Sequence, residues 1–448
     1  MQDQLSRLVR TVPRYTSYPT APHFTPEVGP VTAGEWLGTL GSAQRLSLYL
    51  HIPFCRTLCW YCGCQTRQVR RYDPVPPYLA ALSTEMEMVA GLMHARAQVS
   101  HIHFGGGTPT ILHPEDVRRL MGHLRDSFLV RDDAEIAVEI DPRGLNGAKL
   151  AAWMEGGLNR ASLGVQDINP RVQKAINRIQ PPELTRRVID DLRDAGIQSI
   201  SVDLIYGLPH QTVEDVERTV EEVVRCGVDR VSVFGYAHVP WMRTHQQMID
   251  EAVLPGPMER LNQSNAAADL LEASGFARIG MDHFARRRDN MAKALAQGHL
   301  KRNFQGYTTD AADALIGLGA SAIGRLPQGY LQNEPATGRY LAAIGEGRLA
   351  TARGYHLTDD DRVRGHVIER LLCDFGFDAD DLRGRFGELA EPILEEATAL
   401  TDDEPEEGLM RHGDWFEVEE SARPFVRTVA ARFDAHLTKG AARHSAAV

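Results

Sequence analysis

"LSLYLHIPFCRTLCWYCGC", residues 46–64, passes from an alternating apolar run into a loop carrying four of the chain's six cysteines. The run at 46–52 reads as a β-strand, and five further β-prone runs follow at 99–104, 135–140, 160–165, 199–206 and 230–236. Between them lie stretches with helical spacing, such as "PPYLAALSTEMEMVAGLMHA" and "VEDVERTVEEVVRCG". Six strand-then-helix units predict an α/β protein built on a parallel sheet. The expected architecture is a partial (β/α)6 TIM-like barrel, with an N-terminal arm and a small, mostly helical C-terminal domain. Chemistry in such a fold gathers where the strands end. "HIPFC", "GGGTP", "EIDP", "GVQD", "DLIYGLP" and "GYAHVP" each stand at or just past a strand end.

Outward from that repeat, residues 1–45 are rich in Pro, Gly, Thr and aromatics and are expected to form an irregular arm over the active site, with no strand or helix of its own. The barrel is expected over 46–354. From 355 to 448 the alternation stops, giving helices and one hairpin around "GLMRHGDWFEVEE" (408–420), with a frayed end at "AARHSAAV".

Forty-nine basic and sixty acidic side chains leave a net charge of -11 among 448 residues. That balance disfavours a nucleic-acid or anionic-membrane partner, and an anionic substrate would need a local arginine cluster. No long apolar run predicts a membrane span, and the N-terminus lacks a secretory signal, so the expected setting is the cytoplasm. Thiols stay reduced there, and clustered cysteines are better explained as metal or redox groups than as disulfides.

Cys55, Cys59 and Cys62 are spaced C-x3-C-x2-C, with Cys64 one glycine further on. Structural zinc takes a second, distant pair of ligands to close its tetrahedron, and the sequence offers none. Three thiolates on one short loop suit an iron–sulfur cluster, and three ligands for four irons leave one iron open to a small molecule. Cys64 stands too close to Cys62 to reach a neighbouring iron beside it, so its role is left open. Cys226 and Cys373 are isolated and read as small buried hydrophobes.

The loop resembles that of the radical S-adenosylmethionine superfamily. "PRYTSYPTA" (13–21), "CGC" (62–64), "HFGGGTPT" (103–110), "GVQD" (164–167), "DLIYGLP" (203–209), "GMDHFA" (280–285) and "RNFQGYTT" (302–309) together resemble the oxygen-independent coproporphyrinogen III oxidases (dehydrogenases) of anaerobic haem biosynthesis, from about residue 13 to about 435. The resemblance implies a [4Fe-4S] cluster on Cys55, Cys59 and Cys62. It also implies S-adenosylmethionine bound at the open iron, cleaved to a 5′-deoxyadenosyl radical that attacks a propionate. Two propionates of coproporphyrinogen III would become vinyl groups, giving protoporphyrinogen IX.

Gly106 and Gly107 would let the backbone approach the cofactor, with Thr108 adding a hydroxyl, although a tight turn alone would also explain the glycines. Glu139 would accept hydrogen bonds from the cofactor, and Tyr49 and Ile323 match positions around it. The resemblance further implies a second S-adenosylmethionine, whose contacts fall on Tyr61, Gly107, Thr108, Gln166, Arg178, Asp203 and Ala237. Arg178 is expected on a helix, where a solvated side chain is the plainer reading. Arg14 and Arg302 are candidate partners for the substrate's carboxylates, and Tyr15 with Tyr18 is expected to pack on the macrocycle. Cys64, Arg14 and Tyr15 are therefore the candidate catalytic residues.

Arg286–Arg288 read as a solvated face, and His101 and His103 as strand packing; His51, just before the cysteine loop, is harder to set aside. The expected partners are an electron donor such as flavodoxin or ferredoxin and an unidentified terminal electron acceptor, with the chain acting as a monomer. Competing readings are a haem chaperone of the same superfamily, a haem-opening radical methyltransferase and a zinc-stabilised structural protein. The arm and Cys64 favour the oxidase over the chaperone.

Overall fold

Strand β1 (Arg45–Ile52) buries Leu46, Leu48, Leu50 and Ile52 on one face and turns Tyr49 to the other. A period of two also runs through β2 (Gln98–Gly106), β3 (Leu129–Ile140), β4 (Arg160–Gln166) and β5 (Ser199–Tyr206). In β5, Ile200, Val202, Leu204 and Tyr206 are buried, whereas Asp203 between them is only half-buried. The apolar face is covered by helices that follow the strands: α1 (Val75–Leu92), α2 (Pro114–Ser127), α3 (Gly147–Glu155), α4 (Pro182–Asp194), α5 (Val213–Arg225) and, after β6 (Arg230–Gly235), α6 (Pro257–Ala273). Helix α1 shows how: Tyr78, Leu82, Met86 and Val89 recur every three or four residues and all are buried. Helix α5 begins at a capping box in which Thr212 and Asp215 satisfy each other's backbone donors.

The computed structural model describes residues 10–94, 97–404 and 407–437. Residues 1–9 of the expected arm and the "AARHSAAV" end lie outside the described residues. Strands β1 to β6 pair in sequence order and in parallel, as the six-unit reading expects. On the far side of β1 comes β9 (Ala314–Leu318), also parallel, then antiparallel β10 (Ile323–Leu326), β11 (Gly329–Asn333) and β12 (Thr351–His356). Beyond β6 lie antiparallel β8 (His283–Arg286) and β7 (Phe276–Ile279). The order β12-β11-β10-β9-β1-β2-β3-β4-β5-β6-β8-β7 ends on different strands, so this twelve-stranded sheet stays open.

The inner face is polar. His101, His103, Glu135, Glu139, Ser162, Asp203 and Ser232 occupy the positions alternating with the buried apolar ones. A barrel packed with Val, Ile and Leu is a filled core; ionisable side chains in their place must be paired or solvated, which keeps the interior available to small molecules.

The stretch expected to be wholly irregular contains a nine-residue helix, Pro30–Gly38. Proline starts it, and Ala33, Trp36 and Leu37 reach the main core at helical spacing, a burial that outweighs the local Gly and Thr content. After β12, helix α7 (Asp359–Asp374) opens on a Thr358–Asp361 capping box, and α8 (Glu391–Asp403) packs on the same small core. The expected hairpin pairs Leu409–His412 with Trp415–Val418, and Gly376–Asp378 adds a third strand. Val12, Tyr15 and Tyr18 of the arm are buried in this C-terminal core.

Candidate active site

The cysteine loop leaves β1 and is pinned at several points. Phe54–Cys55 pairs in parallel with Arg67–Gln68, and the Val69 N–H donates to the Cys55 carbonyl at 2.9 Å. The Trp60 N–H reaches Ile176 O at 3.0 Å and the Asn177 amide reaches Leu58 O at 2.8 Å. Cys59 is buried, Cys55 and Cys62 are half-buried and Cys64 is exposed. Cys59 Sγ faces Arg143 Nη2 at 3.5 Å and Arg178 Nη1 at 3.6 Å, so two guanidinium groups converge on this sulfur. Burial, followed by its cysteine neighbours, pushes the Cys55 thiol up to about 12, while a hydrogen bond from Cys64 leads the causes that draw Cys62 down to about 7. Thiols this close repel as anions, and a shared cationic cluster removes that repulsion. Among the described residues no three metal-binding side chains meet at one point able to hold a single ion. A polynuclear cluster instead takes one cysteine on each of several irons, so the donor set fits it.

The glycine run closes on this loop. A Cβ at Gly107 would lie 2.7 Å from Phe54 O and 2.9 Å from Cys55 Sγ, and one at Gly105 would lie 2.7 Å from Glu139 Oε1. Gly106 has φ +119, and a side chain there would also strike His51. The Gly107 and Thr108 N–H groups bond to Ile52 O at 2.8 Å and Phe54 O at 3.0 Å, so the run is both a turn and a close backbone approach.

Glu139 is gripped by His103 Nε2 at 2.9 Å and by the Gly106 N–H at 3.2 Å. Burial would raise its carboxyl, but these donors outweigh burial and hold it below the ordinary value. His103 is thus more than strand packing. Tyr49 stacks on His103 and its hydroxyl meets His51 Nδ1 at 3.0 Å; His51 Nε2 faces the Gln65 carbonyl at 2.9 Å. A carbonyl only accepts, so Nε2 carries the proton and Nδ1 accepts from Tyr49. Burial lowers the His51 pKa, in keeping with a neutral ring.

Arg178 overturns its sequence reading. It lies in the loop after the short helix Pro170–Ala175, and its side chain is only 7% exposed. It donates to Gly164 O at 2.7 Å, approaches Asp141 at 3.5 Å, and its Nε is buried without a partner. Burial opposes its charge, yet Tyr61, Asp141 and Cys59 together hold the guanidinium above its ordinary pKa. Gln166, at φ +68, brings its amide beside Gly164. Asp203 accepts from Ser162 at 3.2 Å, and burial, then the charge of Glu139, raises its pKa. The Gln246 amide ties Tyr61 O (2.9 Å) to Ala237 O (3.1 Å). Thr108 Oγ1 is buried against Thr110 Oγ1 at 2.8 Å. Ile323 packs with Phe24, Tyr330 and Leu357, next to Gly317, the strand partner of Tyr49.

A second group, only half visible in the sequence, gathers at the end of β6. Arg14 Nη2 donates to Gly235 O at 2.6 Å and Arg260 Nη2 to Tyr236 O at 2.9 Å. Arg302 donates to Arg14 O and Tyr15 O at 3.2 and 3.3 Å and lies over the Tyr307 ring at 4.7 Å. Arg427 completes the set: burial, then the charge of Arg14, lowers its pKa to about 10. Against these four cations stands Asp282, held at about 2 despite burial by His283, Arg302 and Arg14. Arg14 is water-accessible and yet its charge is penalised by surrounding protein, as expected of a residue lining a deep cavity. Cys64 is exposed, and its hydrogen bond to Cys62, followed by the charge of Cys62 and burial, raises its pKa.

Tyr15, by contrast, turns into the C-terminal core, its hydroxyl on Asp434 at 3.0 Å, and Tyr18 is buried there too, its hydroxyl receiving the Ala435 N–H at 3.0 Å. Both rings are buried in the small core, and what they leave open lines a cleft beside residues 290–315, which holds no cysteine. The arm position that does face the cavity is Arg14. No motif marked Arg260, Arg427 or Asp282 as a group. The cleft, of 1560 Å³ between residues 290–315 and the C-terminal helices, is lined by Tyr15, Tyr18 and Arg302 but by none of the cysteines.

The sequence pattern of the Radical SAM superfamily matches residues 49–223. An oxygen-independent coproporphyrinogen III oxidase from Bradyrhizobium diazoefficiens is 52% identical over 440 residues, covering 98% of this chain and 97% of its own. One from Paracoccus denitrificans is 44% identical, covering 100% and 99%. The solved coproporphyrinogen III oxidase of Escherichia coli, described as a radical SAM enzyme, superposes with a TM-score of 0.90 at 37% identity, over 96% of this chain and 100% of its own.

Proposed function

The chain belongs to the oxygen-independent coproporphyrinogen III oxidases of the radical SAM superfamily, and from that premise we propose how its own residues divide the work. The reaction converts two propionates of coproporphyrinogen III to vinyl groups without oxygen, giving protoporphyrinogen IX. When bound, a [4Fe-4S] cluster and S-adenosylmethionine supply an organic radical that removes a hydrogen atom from a propionate β-carbon. The observation that carries the site assignment is the packing of the three-cysteine loop on Gly107, whose Cβ would meet Phe54 O and Cys55 Sγ.

Cys55, Cys59 and Cys62 hold the cluster, with Arg143 and Arg178 offsetting the charge of Cys59. Gly105, Gly106 and Gly107 let the backbone approach the cofactor closely, and Glu139, kept ionised by His103, accepts from its amine or ribose. Tyr49 and His51 fix one wall, with Ile323 behind it. Tyr61, Thr108, Gln166, Arg178, Asp203 and Ala237 line the place for a second S-adenosylmethionine. Arg14, Arg260, Arg302 and Arg427 orient the substrate through its carboxylates, since bidentate guanidinium contacts fix a carboxylate's plane as well as its position. Tyr15 positions Arg14 by anchoring the arm. Cys64 is exposed and is assigned to the substrate side of the cluster. After hydrogen abstraction the substrate loses carbon dioxide and one electron, so an electron acceptor completes each half-reaction.

Among the described residues no helix is long and apolar enough to cross a membrane. A reducing cytoplasm, a monomeric enzyme and a flavodoxin- or ferredoxin-type donor complete the proposal. Anaerobic turnover of the reconstituted protein with coproporphyrinogen III, followed by product mass, tests it. The divinyl product is expected; unchanged substrate from protein with a full complement of iron and sulfide would overturn the assignment.

A further inference from the structure

The outer side of the cysteine loop is a cationic ribbon. Arg56, Arg67, Arg70 and Arg71 are all exposed. Their places are fixed by the backbone: Phe54 and Cys55 pair with Arg67 and Gln68, and Arg67 N–H donates to Pro53 O at 2.6 Å. Gln68 Nε2 reaches Arg56 O at 3.2 Å, and Arg56 Nη1 reaches Arg70 O at 3.1 Å. Among the described residues none of the four forms an ion pair, whereas exposed arginines elsewhere, such as Arg118 and Arg383, lie on glutamates. Four unneutralised cations beside one cysteine ligand stand out on a chain of net charge -11. Like charges held together without counter-ions cost stability, and a surface that keeps them needs an anionic partner to offset the cost.

We propose that this ribbon is the docking face for an acidic protein electron carrier with a flavin or iron–sulfur centre. The inference rests on the reading above that Cys55, Cys59 and Cys62 hold a redox cluster. In the step concerned, one electron leaves the carrier's reduced centre and enters the cluster, and no bond forms or breaks. Electron transfer needs the two centres close together, and the ribbon's hydrogen bonds put its arginines within a residue or two of the Cys55 backbone. An interface of this kind is small and transient, and electrostatic complementarity sets its association rate and orientation.

The test titrates the full-length, anaerobically reconstituted protein with an oxidised, acidic flavodoxin, reading flavin fluorescence at low and high salt. Reversing three charges (Arg67→Glu, Arg70→Glu and Arg71→Glu together) is expected to raise the Kd at least about tenfold at low salt. High salt should weaken the wild-type complex toward the same value. Reduction of the variant's cluster by dithionite, which needs no docking, should keep the wild-type rate. A Kd unchanged by the triple reversal, or a wild-type Kd indifferent to salt, overturns the proposal. Because binding is read apart from turnover, wild-type protein lacking acid-labile sulfide would sink the functional reading and leave the docking result standing.

Discussion

Arg14 donates its Nη2–H to the Gly235 carbonyl at 2.6 Å, which places a guanidinium from the N-terminal arm on the final residue of strand β6. A carbonyl takes only one edge of the fork, so the rest is open to a carboxylate. Arg302 holds this arrangement from behind through the Arg14 and Tyr15 carbonyls.

Arg14→Ala should therefore raise the KM for coproporphyrinogen III roughly 10- to 100-fold, the equivalent of about 1.5–3 kcal/mol for a hydrogen bond to a charged group. Iron content should not change. Arg14→Lys should recover part of the loss, since it restores charge without the fork. An unaltered KM in Arg14→Ala would make the residue a strut for the arm alone. Removing residues 1–30 is a different experiment: it takes Tyr15 and Tyr18 out of the C-terminal core and should lower Tm as well.

Gly107→Ala puts a methyl against Phe54 O and Cys55 Sγ and should cost iron, as Cys55→Ala, Cys59→Ala and Cys62→Ala should. Gly105→Ala meets the Glu139 carboxylate instead. It should keep iron and sulfide while weakening S-adenosylmethionine binding about tenfold, a loss of about 1.4 kcal/mol. Cys64→Ala should also keep its iron. Iron and sulfide assays beside equilibrium dialysis separate these outcomes, and full iron in Gly107→Ala would refute the cradle.

If two S-adenosylmethionine molecules bind, wild-type protein should titrate with two equivalents. Gln166→Ala or Asp203→Ala should bind one and lose turnover, with the cluster spectrum intact. Removing a hydrogen-bonding side chain from a buried ligand contact costs about 1–3 kcal/mol. A single equivalent in both wild type and variants would withdraw the second site.

Asp282 is the counter-charge of the arginine group, and its carboxyl is held at about 2. A pKa depressed below an unfolded value of about 3.9 contributes stability that is present above that value and lost as pH falls through about 2. The shift amounts to between about 2 and 3 kcal/mol for a side chain only 24% exposed. Asp282→Asn should lower Tm at neutral pH, and the gap from wild type should hold down to about pH 4 and narrow below it. A gap that stays constant down to pH 2 would mean that the destabilisation is steric.

The six strands and the cysteine loop were legible in the sequence because their signals are local. Alternation at Leu46, Leu48, Leu50 and Ile52 is set by the period of a strand, and C-x3-C-x2-C needs only one short loop. The Gly105–Gly107 run was legible for a similar reason, since missing side chains beside a strand end have few explanations. Helix Pro30–Gly38 was not, because its formation depends on burying Trp36 and Leu37 against residues far along the chain. Arg178 reads as solvated until Gly164, Asp141 and Cys59 are brought around it.

Sequence alone marked the groups proposed to carry the chemistry: three thiols for the irons, glycines for the cofactor's approach, and strand-end polar residues for its contacts. Only the tertiary structure decided which cations stand together. Arg14, Arg260, Arg302 and Arg427 come from four distant parts of the chain, and no local spacing relates them. They stand as one group because the arm, helix α6, the antiparallel pair Lys301–Asn303 with Gly306–Thr308 and the C-terminal segment converge near the end of β6. Tyr15 was settled in the same way: its ring suited a macrocycle or a core equally well, and the small core with Asp434 at its edge took it. Electrostatic coupling falls off with distance through space, so a cluster of like charges becomes visible only once folding has set those distances.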